Sequence, residues 1–67
     1  MLTWDDSYAI ARRLRDQHPD IYLETVSLAM IYHWVIALPD FEDEPELAND
    51  GVLGAIYQEW FEEANIQ

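Results

Sequence analysis

The 67-residue chain contains no cysteine and no lysine. Without cysteine there is no disulfide framework, no thiol catalysis and no cysteine-ligated zinc or iron–sulphur centre. The basic complement is confined to Arg12, Arg13 and Arg15, against fourteen acidic residues, for a formal charge of −11. Such a field repels nucleic-acid phosphates and anionic membranes and attracts basic proteins or cations. Glycine is scarce too: Gly51 and Gly54, in a segment without lysine, do not make a phosphate-binding loop. No apolar run approaches the roughly 20 residues that span a bilayer, and the start of the chain lacks the zones of a secretory signal. These absences predict a cytoplasmic monomer that avoids nucleic acid and membrane.

What is present is a dense set of core candidates. Half the residues are apolar, and Trp4, Trp34 and Trp60 are spread along the chain. Tryptophans bury roughly 150–250 Å² each, enough to matter in a domain that buries only about 60% of its unfolded surface. Spacing predicts three helices and an all-α single domain over residues 1–67. The first runs over 3–17, with Thr3 as cap, Asp6 completing a short capping box and Ile10 and Leu14 on one face. His18-Pro19-Asp20 ends it, leaving His18 as an exposed residue with no second histidine or cysteine spaced to share a metal. The stretch 20–27 reads as a connection, a short helical turn or an extended piece. The second helix starts at a Ser27 cap, carries Leu28, Ile31, Val35 and Leu38 as a stripe widened by Trp34, and closes at Leu38 before Pro39. His33 falls on its polar side. The third begins at an Asn49 cap and carries Leu53, Ile56, Tyr57, Trp60 and Ala64. Gly51 and Gly54 weaken its start by about 1 kcal/mol each, which points to close packing. Glu59, Glu62 and Glu63 lie near its C-terminal end, against the dipole, which suggests a use for that charge.

Between the second and third helices lies Leu38-Pro39-Asp40-Phe41-Glu42-Asp43-Glu44-Pro45, four carboxylates and an aromatic bracketed by prolines. Phe41 is expected to plug into the core and anchor the segment. Asp40, Glu42, Asp43 and Glu44 are expected to face water together, with no base near in sequence. A charge run is ordinarily a solvated face; the sharper reading is a surface that docks a partner or binds a hard cation weakly through these four carboxylates. A calcium loop is excluded, because Pro45 stands where its glycine belongs and Gly51 where its closing glutamate belongs. No catalytic triad or tuned acid–base pocket is visible, so the chain reads as a non-enzyme.

Several residues together resemble a known family. Trp4-x-Asp6-Ser7, Pro19-Asp20, Thr25-Val26, Trp34, Leu38-x-Asp40-Phe41-x-Asp43-x-Pro45, Asn49, Leu53-x-Ala55-Ile56 and Trp60-x-x-Glu63-Ala64 are similar to the small acidic IscX family of iron–sulphur cluster assembly. The likeness runs nearly the whole length, and Asp-Phe-x-Asp-x-Pro between tryptophans is its specific part. It implies a compact helical domain of winged-helix-like shape. It also implies a non-enzymatic regulator that binds a cysteine desulfurase at the acceptor surface, where frataxin or ferredoxin would compete. The implied partner-binding residues are Asp40, Glu42, Asp43, Glu44, Glu59 and Glu63. Weak iron binding is implied at Asp5, Asp6, Asp40, Glu42, Asp43 and Glu44, with no tightly bound cofactor. The run Ala11-Arg12-Arg13-Leu14-Arg15 departs from the family, where more acid is expected. The alternative reading is an acidic module that mimics nucleic-acid charge and blocks a DNA-binding protein.

Overall fold

The computed structural model describes residues 1–64, which form three α-helices and two 3₁₀ turns. In chain order these are α1, Ser7–Gln17; a turn at Leu23–Thr25; α2, Leu28–Ile36; a turn at Pro45–Leu47; and α3, Asp50–Ala64. Among the described residues there is no strand, only an isolated parallel bridge between Leu2 and Phe41. No helix of the described residues is long and apolar enough to cross a membrane.

α1 starts four residues later than the spacing predicts. Asp6 is its N-cap position, and the residues before it are drawn elsewhere. Leu2 donates to the Asp40 carbonyl at 2.8 Å and accepts from the Glu42 amide at 2.7 Å, so the chain start is extended against the acidic segment. In this arrangement Leu2 and Trp4 are buried. Half of the predicted capping box survives. The Asp6 carboxylate accepts from the Thr3 amide at 3.0 Å, but the Thr3 hydroxyl donates to that carboxylate instead of capping the helix.

The other caps fall where the sequence places them. Ser27 Oγ accepts from the Met30 amide at 3.2 Å and Asn49 Oδ1 from the Val52 amide at 2.9 Å, each satisfying a donor that the first helical turn leaves open. α2 ends at Ile36, two residues before Leu38, and the Leu38 amide closes the turn on the Val35 carbonyl at 3.0 Å.

α1 and α3 pack most extensively, and α2 lies on α3. Leu2, Trp4, Ile10, Ala11, Leu14, Leu23, Ile31, Val35, Leu38, Leu53, Ile56 and Trp60 are buried in one core. Leu28, Trp34 and Phe41 are packed against it but only partly buried. His18 is half-buried rather than exposed: its ring stacks on Trp34 at 4.1 Å between centroids, and Trp34 meets Trp60 edge-on at 6.1 Å. The Leu23–Thr25 turn is fixed to α3 by the Tyr57 hydroxyl, which donates to the Leu23 carbonyl at 3.1 Å.

Candidate functional site

The acidic segment is held by the extended chain start and by α1. The Leu2–Phe41 bridge sets its register, and side chains along an extended stretch alternate in direction. Phe41 turns inward and meets Trp4 edge-to-face at 4.8 Å, an arrangement favoured by the ring quadrupoles. It is half-buried, so it lies on the core's rim rather than in its interior. Trp4 is the second anchor. Its indole Nε1–H donates to the Glu44 carbonyl at 2.8 Å, and its ring stacks with Tyr32 of α2 at 6.3 Å.

The four loop carboxylates do not share one environment. Asp43 is half-buried and serves the backbone: its two oxygens accept from the Trp4 amide at 3.0 Å and the Glu44 amide at 2.8 Å. Asp40 is ion-paired with Arg13 of α1, and its other oxygen, Oδ1, is buried with no hydrogen-bond partner among the described residues. Only Glu42 and Glu44 present their carboxylates as exposed side chains. The expectation of four carboxylates facing water without a base therefore fails at two positions. Arg13 is 27 positions from Asp40 in sequence and reaches it only because α1 packs beside the loop. Asp5 and Asp6 are exposed on the turn that Trp4 fastens to this loop, so they belong to the same acidic end. Glu46, in the following 3₁₀ turn, extends the exposed row.

The last helix divides in the same way. Glu63, a predicted partner-binding residue, accepts from Arg15 at 2.6 Å and from the Tyr8 hydroxyl at 3.1 Å, with its side chain only 13% exposed. At Glu63 this pairing offsets the unfavourable placement of acid near the end of α3. Glu62 accepts from Gln58 at 3.0 Å, and Glu59 is half-buried. Sequence reasoning missed both roles of the arginines. The available signal was that three bases in so acidic a chain will settle against the densest carboxylates that packing brings within reach.

Among the described residues, no three His, Asp or Glu side chains converge closely enough to hold a metal ion. An open cleft of about 190 Å³ lies between the Ile21–Glu24 stretch and Phe61 and Ala64 of α3. It is smaller than the roughly 300–1,000 Å³ of a typical small-molecule pocket, and among the described residues Glu24 is its one charged lining residue. The surface that remains is an acidic end on a fixed backbone, with Asp5, Asp6, Glu42, Glu44 and Glu46 exposed. Such a surface attracts cations and repels anions.

A family model described as iron–sulphur cluster assembly matches residues 2–65. The chain is also similar to the uncharacterized protein PA3808 of Pseudomonas aeruginosa, with 36% identity over 62 residues, covering 92% of this chain and 94% of the relative.

Proposed function

The chain belongs to the IscX family of iron–sulphur cluster assembly proteins, and from that premise we propose that it acts in assembly as a non-enzymatic regulator which docks a cysteine desulfurase through its acidic end. The observation that carries the docking reading is the fixed presentation of Glu42 and Glu44. Phe41 on Trp4, the Trp4 Nε1–Glu44 bond and the Asp43 hydrogen bonds hold the backbone of the segment in place. Charges held this way require less ordering on association than charges on a loose loop. A concentrated negative field also speeds encounter with a basic patch, and salt screens it over a Debye length of about 8–10 Å.

On this reading the groups that contact the partner are Glu42 and Glu44, with Asp5, Asp6 and Glu46 beside them. Asp43 acts indirectly by shaping the loop, and Glu63 is committed to Arg15 and Tyr8. Frataxin and ferredoxin would compete for the same basic surface of the desulfurase. Iron is a cargo ion in this chemistry. Because no three ligands converge among the described residues, its association with the exposed carboxylates is proposed as weak.

The test is biolayer interferometry of the full chain on an immobilised cysteine desulfurase at low and high salt. The Glu42→Lys/Glu44→Lys double variant should lose binding by tenfold or more on an order-of-magnitude scale, since it replaces attraction with repulsion at two contacts. The parent complex should weaken steeply with ionic strength. Parent-like binding by a variant whose thermal melt is intact would remove the docking claim. Binding to basic DNA-binding proteins instead of the desulfurase would favour charge mimicry.

A further inference from the structure

The Arg13–Asp40 pair joins α1 to the centre of the acidic segment without belonging to either element's own hydrogen bonding. Arg13 Nη1 donates to Asp40 Oδ2, and no second bond of the guanidinium fork reaches Oδ1. That oxygen is buried and unpartnered among the described residues. An arginine can satisfy both oxygens of a carboxylate at once, and the bidentate form is the stronger one. The internal pair therefore leaves Asp40 half-used. It is also accessible, with the Arg13 side chain 50% exposed and Asp40 26% exposed, and pairs so exposed contribute little to stability. Neither of the other arginines is positioned on the loop: Arg15 is taken by Glu63, and Arg12 lies over the Tyr8 ring at 5.9 Å.

We propose that Arg13 is an internal competitor that occupies Asp40 in the free protein and gives it up to an arginine of the basic partner. The proposal rests on the docking reading above and adds its regulation: Arg13 lowers affinity by occupying and neutralising Asp40, the carboxylate the partner's arginine would take. Arg13→Gln releases that carboxylate. Arg12→Gln makes the same change in net charge at a position that pairs with the Tyr8 ring and not with the loop, so it measures the general electrostatic contribution alone.

The experiment compares the parent, Arg12→Gln, Arg13→Gln, Arg13→Lys, Asp40→Asn and the Arg13→Gln/Asp40→Asn double variant on two probes at low salt. One probe is an immobilised cysteine desulfurase; the other is a hexa-arginine peptide. Arg13→Gln should bind tighter than Arg12→Gln by about two- to fivefold, the range an exposed ion pair supports. The gain should vanish in the Asp40→Asn background. Arg13→Lys keeps the charge but carries it on a shorter side chain than the Nη1 that reaches Asp40, so it should fall between the parent and Arg13→Gln, and it serves if the glutamine variant melts early. Equal binding by Arg12→Gln and Arg13→Gln, weaker binding by Arg13→Gln, or a gain that persists without the Asp40 charge overturns the competitor role. If no variant binds the desulfurase, the docking reading fails while the peptide still tests Arg13. Failure to bind either probe rules out Asp40 as an arginine acceptor.

Discussion

Phe41 stands at the rim of the core with its ring edge on Trp4, and its backbone is bridged to Leu2. Complete burial would make truncation to alanine worth about 3–5 kcal/mol. Half-burial removes part of the transfer contribution, and the Trp4 contact restores some of it. Phe41→Ala should therefore destabilise the protein by about 1.5–3 kcal/mol, read from urea denaturation midpoints. A change near zero would mean that the bridge and the Trp4–Glu44 bond hold the loop unaided. The identity of Phe41 as anchor was legible, since it is the one large apolar side chain between Pro39 and Pro45. Its incomplete burial was not, because that depends on Trp4 arriving from the chain start. The same holds for Asp43. Its residue type announces a charge, while its use as an acceptor for two backbone amides is a matter of where Trp4 lies.

Among the elements, α3 shows how a local rule can point to the wrong cause. Two glycines near its start suggested close packing. A methyl group built at Gly54 would meet nothing within 4 Å, and at Gly51 it would meet only the Asn49 cap oxygen at 3.2 Å. Neither glycine has positive φ. Gly54→Ala should then stabilise the fold by about 0.5–1 kcal/mol through helix propensity and reduced unfolded-state entropy. Gly51→Ala should yield less, because the cap side chain must give way. A loss of stability in Gly54→Ala, measured by thermal melt or denaturant, would contradict the open space beside it. α1 carries the opposite lesson. Its apolar face and its stop at His18-Pro19 follow from spacing, yet its start shifts to Ser7 because Leu2 and Trp4 gain more by burial against the loop than by about one further helical turn.

At the scale of the whole molecule, a net charge of −11 sets a field that no single cluster owns. Two of the three arginines are paired with acids of the fold, Arg13 with Asp40 and Arg15 with Glu63, so the outward field is almost wholly negative. Cations should gather in it without a defined site. Anaerobic titration with ferrous iron, followed by amide NMR, should give gradual shifts spread over Asp5, Asp6, Glu42, Glu44 and Glu46, with no early saturation. Saturation at one equivalent, or shifts centred on His18 and His33, would show a discrete site of another kind. The stacking of His18 on Trp34 argues against such a role for that ring.

The sequence alone determined the class of fold, the caps at Ser27 and Asn49, most of the core and the acidic character of the molecule. Each of these rests on interactions within a few residues or on sums over the chain: helical periodicity, an acceptor next to open amides, net charge. It also carried the family, because the Asp-Phe-x-Asp-x-Pro pattern is contiguous. Tertiary structure decided which acids are free. Arg13 and Asp40 are far apart in sequence, as are Arg15 and Glu63, and Trp4 and Asp43. Ion pairs and hydrogen bonds form only at contact distance, so these pairs exist only once α1, α3 and the chain start have packed. Four like-looking carboxylates in one short segment become a scaffold residue, an internally paired residue and two exposed glutamates, and no property of the segment itself distinguishes them.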